Sequence, residues 1–385
     1  MTIKECPICK TSTVKFQETL REYPLGNIYL KNFEESTNYL KDFTLTQCLC
    51  GHLMGHSLFP SEFFYNENYP YLGTSATVKK RHHFGVNFVF GLNDQTRINN
   101  IVDIGCSSMN LLRNFKLTSK IQGDFVGIDP VPLNELSDDV YFINGFFEKS
   151  DYVLTQVLNA PNLILLDNVL EHIVDLSDFL HKLVQFIHKG DLVYVCVPSL
   201  EIMVNEMRFE EISHEHVHYF SLNSLSRLFS HFGFRLLGQS TKEINSRGYN
   251  FMLFRFEGTT TMNLDSMPDL NALNIEVMFK EFRLKLKRFE FSPQFRYWGV
   301  CASELTPSIA YFMENSFEFL QAIFDTTDSK IGKYMPGVKT KILSWSQLIE
   351  VSPDDFLYVT VPNLRDSVIP NLRKIGFGKF HPNTD

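Results

Sequence analysis

Apolar and polar positions alternate in short blocks through the middle of the chain. Mostly apolar runs at Asn100–Ile104, Phe125–Ile128, Tyr141–Ile143, Leu163–Leu166 and Leu192–Val197 have the length and content of buried strands. Between the last two, Leu176, Phe179, Leu180, Leu183, Val184 and Ile187 recur at helical spacing, which predicts a helix over Leu176–Lys189 that stops at Gly190. Strand-like runs alternating with helical ones predict βαβ units and a mainly parallel sheet. Up to Pro60 the chain has little periodic apolar sequence. The charged, amphipathic stretch Asn274–Glu290 predicts a connecting helix. Beyond it, Arg296–Val300, Ala322–Phe324 and Phe356–Thr360 read as strands with helical patterns between them. The pattern thus predicts an α/β chain in four segments: a small N-terminal module (1–60), a central α/β domain (61–260), a helical connector (261–294) and a smaller α/β domain (295–385).

Composition narrows the function classes. A length of 385 residues suits two or three domains. A hydrophobic share of 44% excludes wholesale disorder. The formal net charge is −8 and no basic block stands out, which argues against a nucleic-acid partner. The N-terminal MTIKECPICK has no apolar core of a signal peptide, and no apolar run approaches the roughly 18 residues of a membrane helix. The expectation is a cytoplasmic protein, monomer or homodimer, with no membrane partner. Its cysteines are expected reduced, and a cysteine pattern then points to metal or catalysis before disulfides.

Four of the seven cysteines lie in the first 60 residues. Cys6 and Cys9 form C-x-x-C, and Cys48 and Cys50 form C-x-C-G-H. Two short knuckles of paired cysteines supply the tetrahedral sulfur set that zinc prefers, and a region poor in apolar sequence gains folding stability from such a metal. The second pair is one residue shorter than usual, so Cys50 with His52 is an alternative to Cys48 with Cys50. A structural zinc is expected, because full protein ligation leaves no open position.

Two strand ends carry candidate cofactor residues. Asp103-Ile104-Gly105-Cys106 ends the first strand in a tight turn where a ligand can approach the backbone. The second strand ends in Asp129, placed to accept from both hydroxyls of a ribose. This pair suits S-adenosylmethionine or a dinucleotide. A pyrophosphate needs several glycines at a helix N-terminus, and Gly105-Cys106-Ser107-Ser108-Met109-Asn110 has one, which favours the phosphate-free cofactor. After the fourth strand, Asp167-Asn168-Val169-Leu170-Glu171-His172 either lines a pocket or caps the next helix. Ser213-His214-Glu215-His216-Val217-His218-Tyr219 is the densest ionisable group in the chain. A Glu beside a His raises imidazole basicity and suits proton abstraction; metal ligation and a plain polar loop are the alternatives.

In order, C-x-x-C, a second knuckle ending in C-G, Tyr69-Pro70-Tyr71, Asp103-Ile104-Gly105, Gly127-Ile128-Asp129-Pro130, Gly145-Phe146-Phe147, Asn168-Val169-Leu170, His214-Glu215-His216 and the turn Gly332-Lys333-Tyr334-Met335-Pro336-Gly337 resemble the bacterial nucleotide-sugar C-methyltransferases. The resemblance covers nearly the whole chain. It implies a zinc module, a class I S-adenosylmethionine methyltransferase domain and a C-terminal Rossmann-like domain. It places Gly105, Asp129, Phe146, Phe147 and Asn168 around the cofactor, with Asp103, Cys106 and His172 beside them. It makes Glu215 and His216 the proton-handling pair with His214 next to them, turns Tyr71 toward the sugar, and implies C-methylation through a base-generated enolate. The chain departs from the family at Met109, where a glycine is usual, at Ser107-Ser108, at Ser213, where a tyrosine is often seen, at Asn245-Ser246-Arg247-Gly248 and at Glu304. These departures motivate a rival expectation, a non-catalytic relative that binds a metabolite or a partner protein.

Overall fold

The computed structural model describes residues 5–60, 63–64, 75–92, 98–119, 121–133, 140–149, 162–258, 273–288, 291–352, 354–361 and 364–380. The elements, in chain order, begin with β1 (Val14–Pro24), β2 (Leu40–Cys48), β3 (Leu53–Ser57), α1 (Ala76–Leu92), β4 (Asn100–Ile104), α2 (Asn110–Thr118), β5 (Phe125–Asp129), β6 (Tyr141–Asn144) and β7 (Asn162–Asp167). They continue with α3 (Leu176–Phe186), β8 (Leu192–Pro198), α4 (Leu200–Asn205), β9 (His218–Tyr219), α5 (Leu222–His231), β10 (Phe234–Ile244), β11 (Arg247–Phe256) and α6 (Ile275–Lys287). The last are β12 (Tyr297–Val300), α7 (Thr306–Met313), β13 (Leu320–Asp325), β14 (Ile342–Ser344), β15 (Phe356–Val359) and α8 (Arg365–Lys374). Two compact units emerge. One comprises Met1–Gln17, Thr46–Ile202 and Glu215–Leu273; the other comprises Glu18–Leu45, Met203–His214 and Asn274–Asp385. The residues of the expected 1–60 module fall in both. Glu18–Leu45 groups with the C-terminal part of the chain, and β1 and β2 each begin in one unit's share of the sequence and end in the other's.

The first unit is built on a seven-stranded sheet of order β10-β11-β8-β7-β4-β5-β6. The strands β8, β7, β4, β5 and β6 run parallel, and β11 is antiparallel to both β8 and β10. Both faces of the central strands are covered. Val102, Ile104, Val126, Ile128, Ile164 and Leu166 pack on one side with Phe179 and Leu180 of α3. Ile101, Phe125, Leu163 and Leu165 pack on the other with Leu112 and Phe115 of α2. Burial on both faces is why these strands read as continuous apolar runs and not as alternating ones. Helix α3 is capped by Asp175, whose carboxylate accepts from the Asp178 N–H. It ends at Phe186, short of the expected Lys189, because the buried Asp191 carboxylate accepts from the His188 and Asn162 N–H groups and draws the chain into β8. The β10–β11 hairpin closes on Asn245 (φ 50) and Ser246 (φ 58), the two positive-φ residues of a tight hairpin turn.

The second unit has a parallel four-stranded sheet of order β14-β13-β12-β15. After β12 the chain turns at Cys301 (φ 73), and Asp325, at the end of β13, accepts from the Ala302 N–H (2.8 Å) and the Thr327 N–H (2.9 Å). Lys330 reaches the same carboxylate at 3.5 Å and donates to the Ala302 carbonyl at 2.7 Å. Gly332 and Gly337 take positive φ at the two ends of the Gly332–Gly337 turn, and Tyr334 exchanges both backbone hydrogen bonds with Leu30. Tyr23 is fully buried in this unit. Its hydroxyl donates to the Ile212 carbonyl (2.8 Å) and lies 2.8 Å from the Ser308 hydroxyl. Removing that hydroxyl leaves a buried carbonyl without its donor. Tyr23→Phe is expected to lower stability by about 1–2 kcal/mol, read as a shift of the urea unfolding midpoint without a change of slope.

Candidate active site at the carboxyl edge of the first unit's sheet

Gly105 (φ 73) ends β4, and its N–H and that of Cys106 both donate to the Ile128 carbonyl, at 2.8 and 3.2 Å. A side chain at Gly105 would stand 2.6 Å from Val169 Cγ2, so this turn needs glycine both for its dihedral and for space. The Asp129 carboxylate holds the loop from the next strand, accepting from the Ser107 N–H (2.8 Å) and the Val131 N–H (2.9 Å). Burial pushes the Asp129 carboxyl up against the pull of those two donors. Ser107 (φ 47) and Met109 (φ 56) also lie in the left-handed region. Met109 therefore occupies a conformation that favours glycine. It is fully buried, with its sulfur and that of Cys106 filling the space beside the bare Cα of Gly127. The departure at Met109 trades backbone ease for core packing.

Asp103 is buried, and neither of its carboxylate oxygens has a hydrogen-bond partner among the described residues. Burial, with Asp167 and Asp129 nearby, pushes its carboxyl well above the usual range. Asp167, at the end of β7, is held differently. Arg81 of α1 pairs with it at 2.6 Å and His82 stands 3.3 Å away, while the Arg81 guanidinium lies 5.2 Å from the centre of the Tyr249 ring. Burial would raise the Asp167 carboxyl, but the Arg81 charge overrides it and the carboxyl sits well below its usual range. Asn168 (φ 56) follows, its N–H donating to the Cys196 carbonyl and its Oδ1 buried with no hydrogen-bond partner among the described residues.

The turn Leu170–His172 carries the ionisable cluster. Glu171 is 1% exposed, both of its carboxylate oxygens lack hydrogen-bond partners among the described residues, and burial pushes it up to about 8. The Glu171 carbonyl accepts from the Val217 N–H (2.8 Å), and His172 Nδ1 donates to the Glu215 carbonyl (3.0 Å). The chain at 215–217 is thus clipped to this turn. His172 and His216 meet with ring centres 4.9 Å apart, nearly edge to face. Burial lowers His172 to about 4 and His216 well below the imidazole range, so both rings are neutral at pH 7. The donated Nδ1–H of His172 leaves the Nε2 lone pair as the ring's acceptor.

The other expected site residues are placed as follows. His214 is buried and falls in the second unit. Its Nε2 donates to the Tyr23 carbonyl (2.9 Å) and its ring stands edge-on to Phe43. Phe147 belongs to the apolar core with Phe179 and Phe186, while the half-buried Phe146 lies beneath Lys149. Cys106 is buried against Gly127. Tyr71 lies outside the described residues. Arg81 and His82 were not among the expected residues. They sit in the polar run Lys79–His83, and nothing in the sequence pattern marks which of those side chains turns inward.

In the same unit, Cys6, Cys9, Cys48 and Cys50 bring four thiols within 4.8 Å of one another, with sulfur pairs at 3.6 Å (Cys6–Cys50) and 3.3 Å (Cys9–Cys48). Lys10 (φ 57) closes the first knuckle and Gly51 (φ 89) the second. His52 is not part of this group; its Nε2 faces His218 Nδ1 at 3.2 Å. Cys50 is drawn down to about 5, first by the hydrogen bond from Cys6, whose own thiol is driven up.

Residues 78–239 match a family model described as a methyltransferase domain. Over 203 residues the chain is 25% identical to C-methyltransferase NovU of Streptomyces niveus, covering 48% of each protein, so the chain spans about half the length of the curated relative it matches. Among solved structures it is similar to N-methyltransferase NodS from Bradyrhizobium japonicum WM9 in complex with S-adenosyl-L-homocysteine (12% identity, 48% of this chain, 90% of NodS, TM-score 0.34). It is also similar to the putative methyltransferase complexed with the Trm112 activator of Haloferax volcanii (15% identity, 48% of this chain, 93% of that one, TM-score 0.38). The matched segment runs from α1 into β10 and includes Asp103, Asp129, Asp167 and the Glu171–His172–His216 cluster.

Breaking the Arg81–Asp167 pair leaves a buried carboxylate uncompensated. Arg81→Met is expected to cost about 3 kcal/mol at pH 7. Asp167 is depressed in the folded state, so the pair's contribution is full above the ordinary carboxylate pKa of about 4 and is lost as pH falls through the folded value. Urea unfolding at a series of pH values checks this: the gap between wild type and variant should narrow below about pH 4.

Proposed function

We propose that this chain transfers the methyl group of S-adenosylmethionine to a carbon beside the keto group of a nucleotide-linked sugar. The observation that carries the reading is the acid-rich sheet edge. Asp103 and Glu171 present buried carboxyl oxygens with no hydrogen-bond partner among the described residues, and Asp129 and Asp167 stand beside them. A cationic ligand arriving here would draw the protons off these buried carboxyls and be held by the charge that forms, which a pyrophosphate could not do. S-adenosylmethionine carries a sulfonium and an ammonium, and supplies an electrophilic methyl group that leaves behind a neutral thioether. Gly105 and the Ser107 loop give its backbone approach, and Asp129 supports the ribose side. The similarity to a protein named C-methyltransferase supports carbon as the acceptor atom.

The chain's own work is proton handling. His216, neutral at pH 7 and beside His172, takes the proton from the carbon next to the keto group. The C–H electron pair becomes an enolate, and its carbon forms the new C–C bond as the C–S bond breaks toward sulfur. The Glu215 carbonyl fixes the His172 tautomer. Alignment of enolate and methyl carries much of the rate. The four-thiol group is read as a structural zinc site, because sulfurs on zinc stand about 3.8 Å apart in a tetrahedron of 2.3 Å bonds.

Calorimetric titration tests the reading. Micromolar binding of both S-adenosylmethionine and S-adenosylhomocysteine is expected, and no binding of either by folded protein would move the binding-protein reading to first place. His216→Ala should lower kcat by about 10²–10⁴-fold with the circular dichroism spectrum unchanged. Elemental analysis should find one zinc per chain, lost together with thermal stability in Cys6→Ser.

A further inference from the structure

We propose that Glu171, His172 and His216 form a divalent-cation site that competes with the proton for the histidine lone pairs. Each of the three offers a ligand atom, and these atoms lie within 4.8 Å of one another. Two histidines and one carboxylate on one side of an ion leave the other positions open, a set that takes first-row divalent metals. Two independent observations point to a ligand. Glu171 is 1% exposed, and neither of its oxygens has a hydrogen-bond partner among the described residues, so a buried carboxyl is held there that a cation could pair with in exchange for its proton. His172 donates its Nδ1–H to the Glu215 carbonyl, the outer-shell arrangement that orients metal-binding imidazoles. The Val217 N–H on the Glu171 carbonyl ties the chain carrying His216 to the same turn, so the three ligands are pre-assembled.

The consequence rests on the methyl-transfer reading above. A lone pair given to a cation is not available to a carbon-bound proton, so the ion inhibits by occupying the base. Mn(II) is the probe, because it avoids thiolate sites and leaves a zinc-loaded four-cysteine group undisturbed. The full chain is titrated with Mn(II), and the free-ion electron paramagnetic resonance signal is followed. One Mn(II) per chain is expected, weakened at least tenfold in Glu171→Gln and in His216→Ala, with zinc content and circular dichroism unchanged in both. Absence of saturable uptake, or uptake unaffected by both substitutions, overturns the proposal. S-adenosylhomocysteine binding to the same wild-type sample, measured without Mn(II), tests the methyltransferase reading separately. Cofactor binding without Mn(II) uptake sinks the cation site and leaves that reading standing, and Mn(II) uptake without cofactor binding does the reverse.

Discussion

Asp103, Asp129, Asp167 and Glu171 bring four carboxyl groups to one edge of a sheet whose interior is otherwise apolar. Burying like charges together is costly, and each group escapes the cost by a different route. Asp167 keeps its charge because Arg81 is buried with it. Asp129 leans on two backbone N–H groups of the loop it shapes. Asp103 and Glu171 hold their protons more tightly than ordinary carboxyls do. The loop, the first helix and the ionisable turn are all arranged around this acid-rich edge.

Much of the central sheet is legible in the sequence. Strand β4 begins and ends where its apolar run does, and β5 to β8 extend theirs by one or two residues. Strands covered on both faces must be apolar throughout, so their signal is strong. The cysteine knuckles are equally visible because metal-type spacing is local. Less is legible where long-range pairing decides. The strands β1 and β2 are half-exposed and weakly patterned, and their membership in two compact units depends on partners far along the chain. The helical pattern continues past Phe186, but one aspartate, Asp191, overrules it through hydrogen bonds that no periodicity records.

The site was legible in outline and not in detail. Spacing singles out the run from His214 to His218 without saying where each ring turns. His216 meets His172, His218 meets His52, and His214 belongs to the other unit. Arg81 is invisible for the opposite reason: a charged residue in a polar run reads as solvated, and only the fold reveals that it is 7% exposed and paired. At Met109 the sequence shows a departure, and the dihedral shows its kind: a strained backbone retained for the packing of one sulfur.

The clasp made by Asp129 recurs in the second unit, where Asp325 gathers the Ala302 and Thr327 N–H groups after a turn of positive φ. The two copies differ in electrical character. At Asp129 the neighbours are further acids and the turn stays electron-rich, whereas at Asp325 Lys330 lies at 3.5 Å and also secures the Ala302 carbonyl. One architectural device therefore stands among buried acids that keep their protons in the first sheet and beside a neutralising lysine in the second, so the same clasp works in two opposite electrical settings.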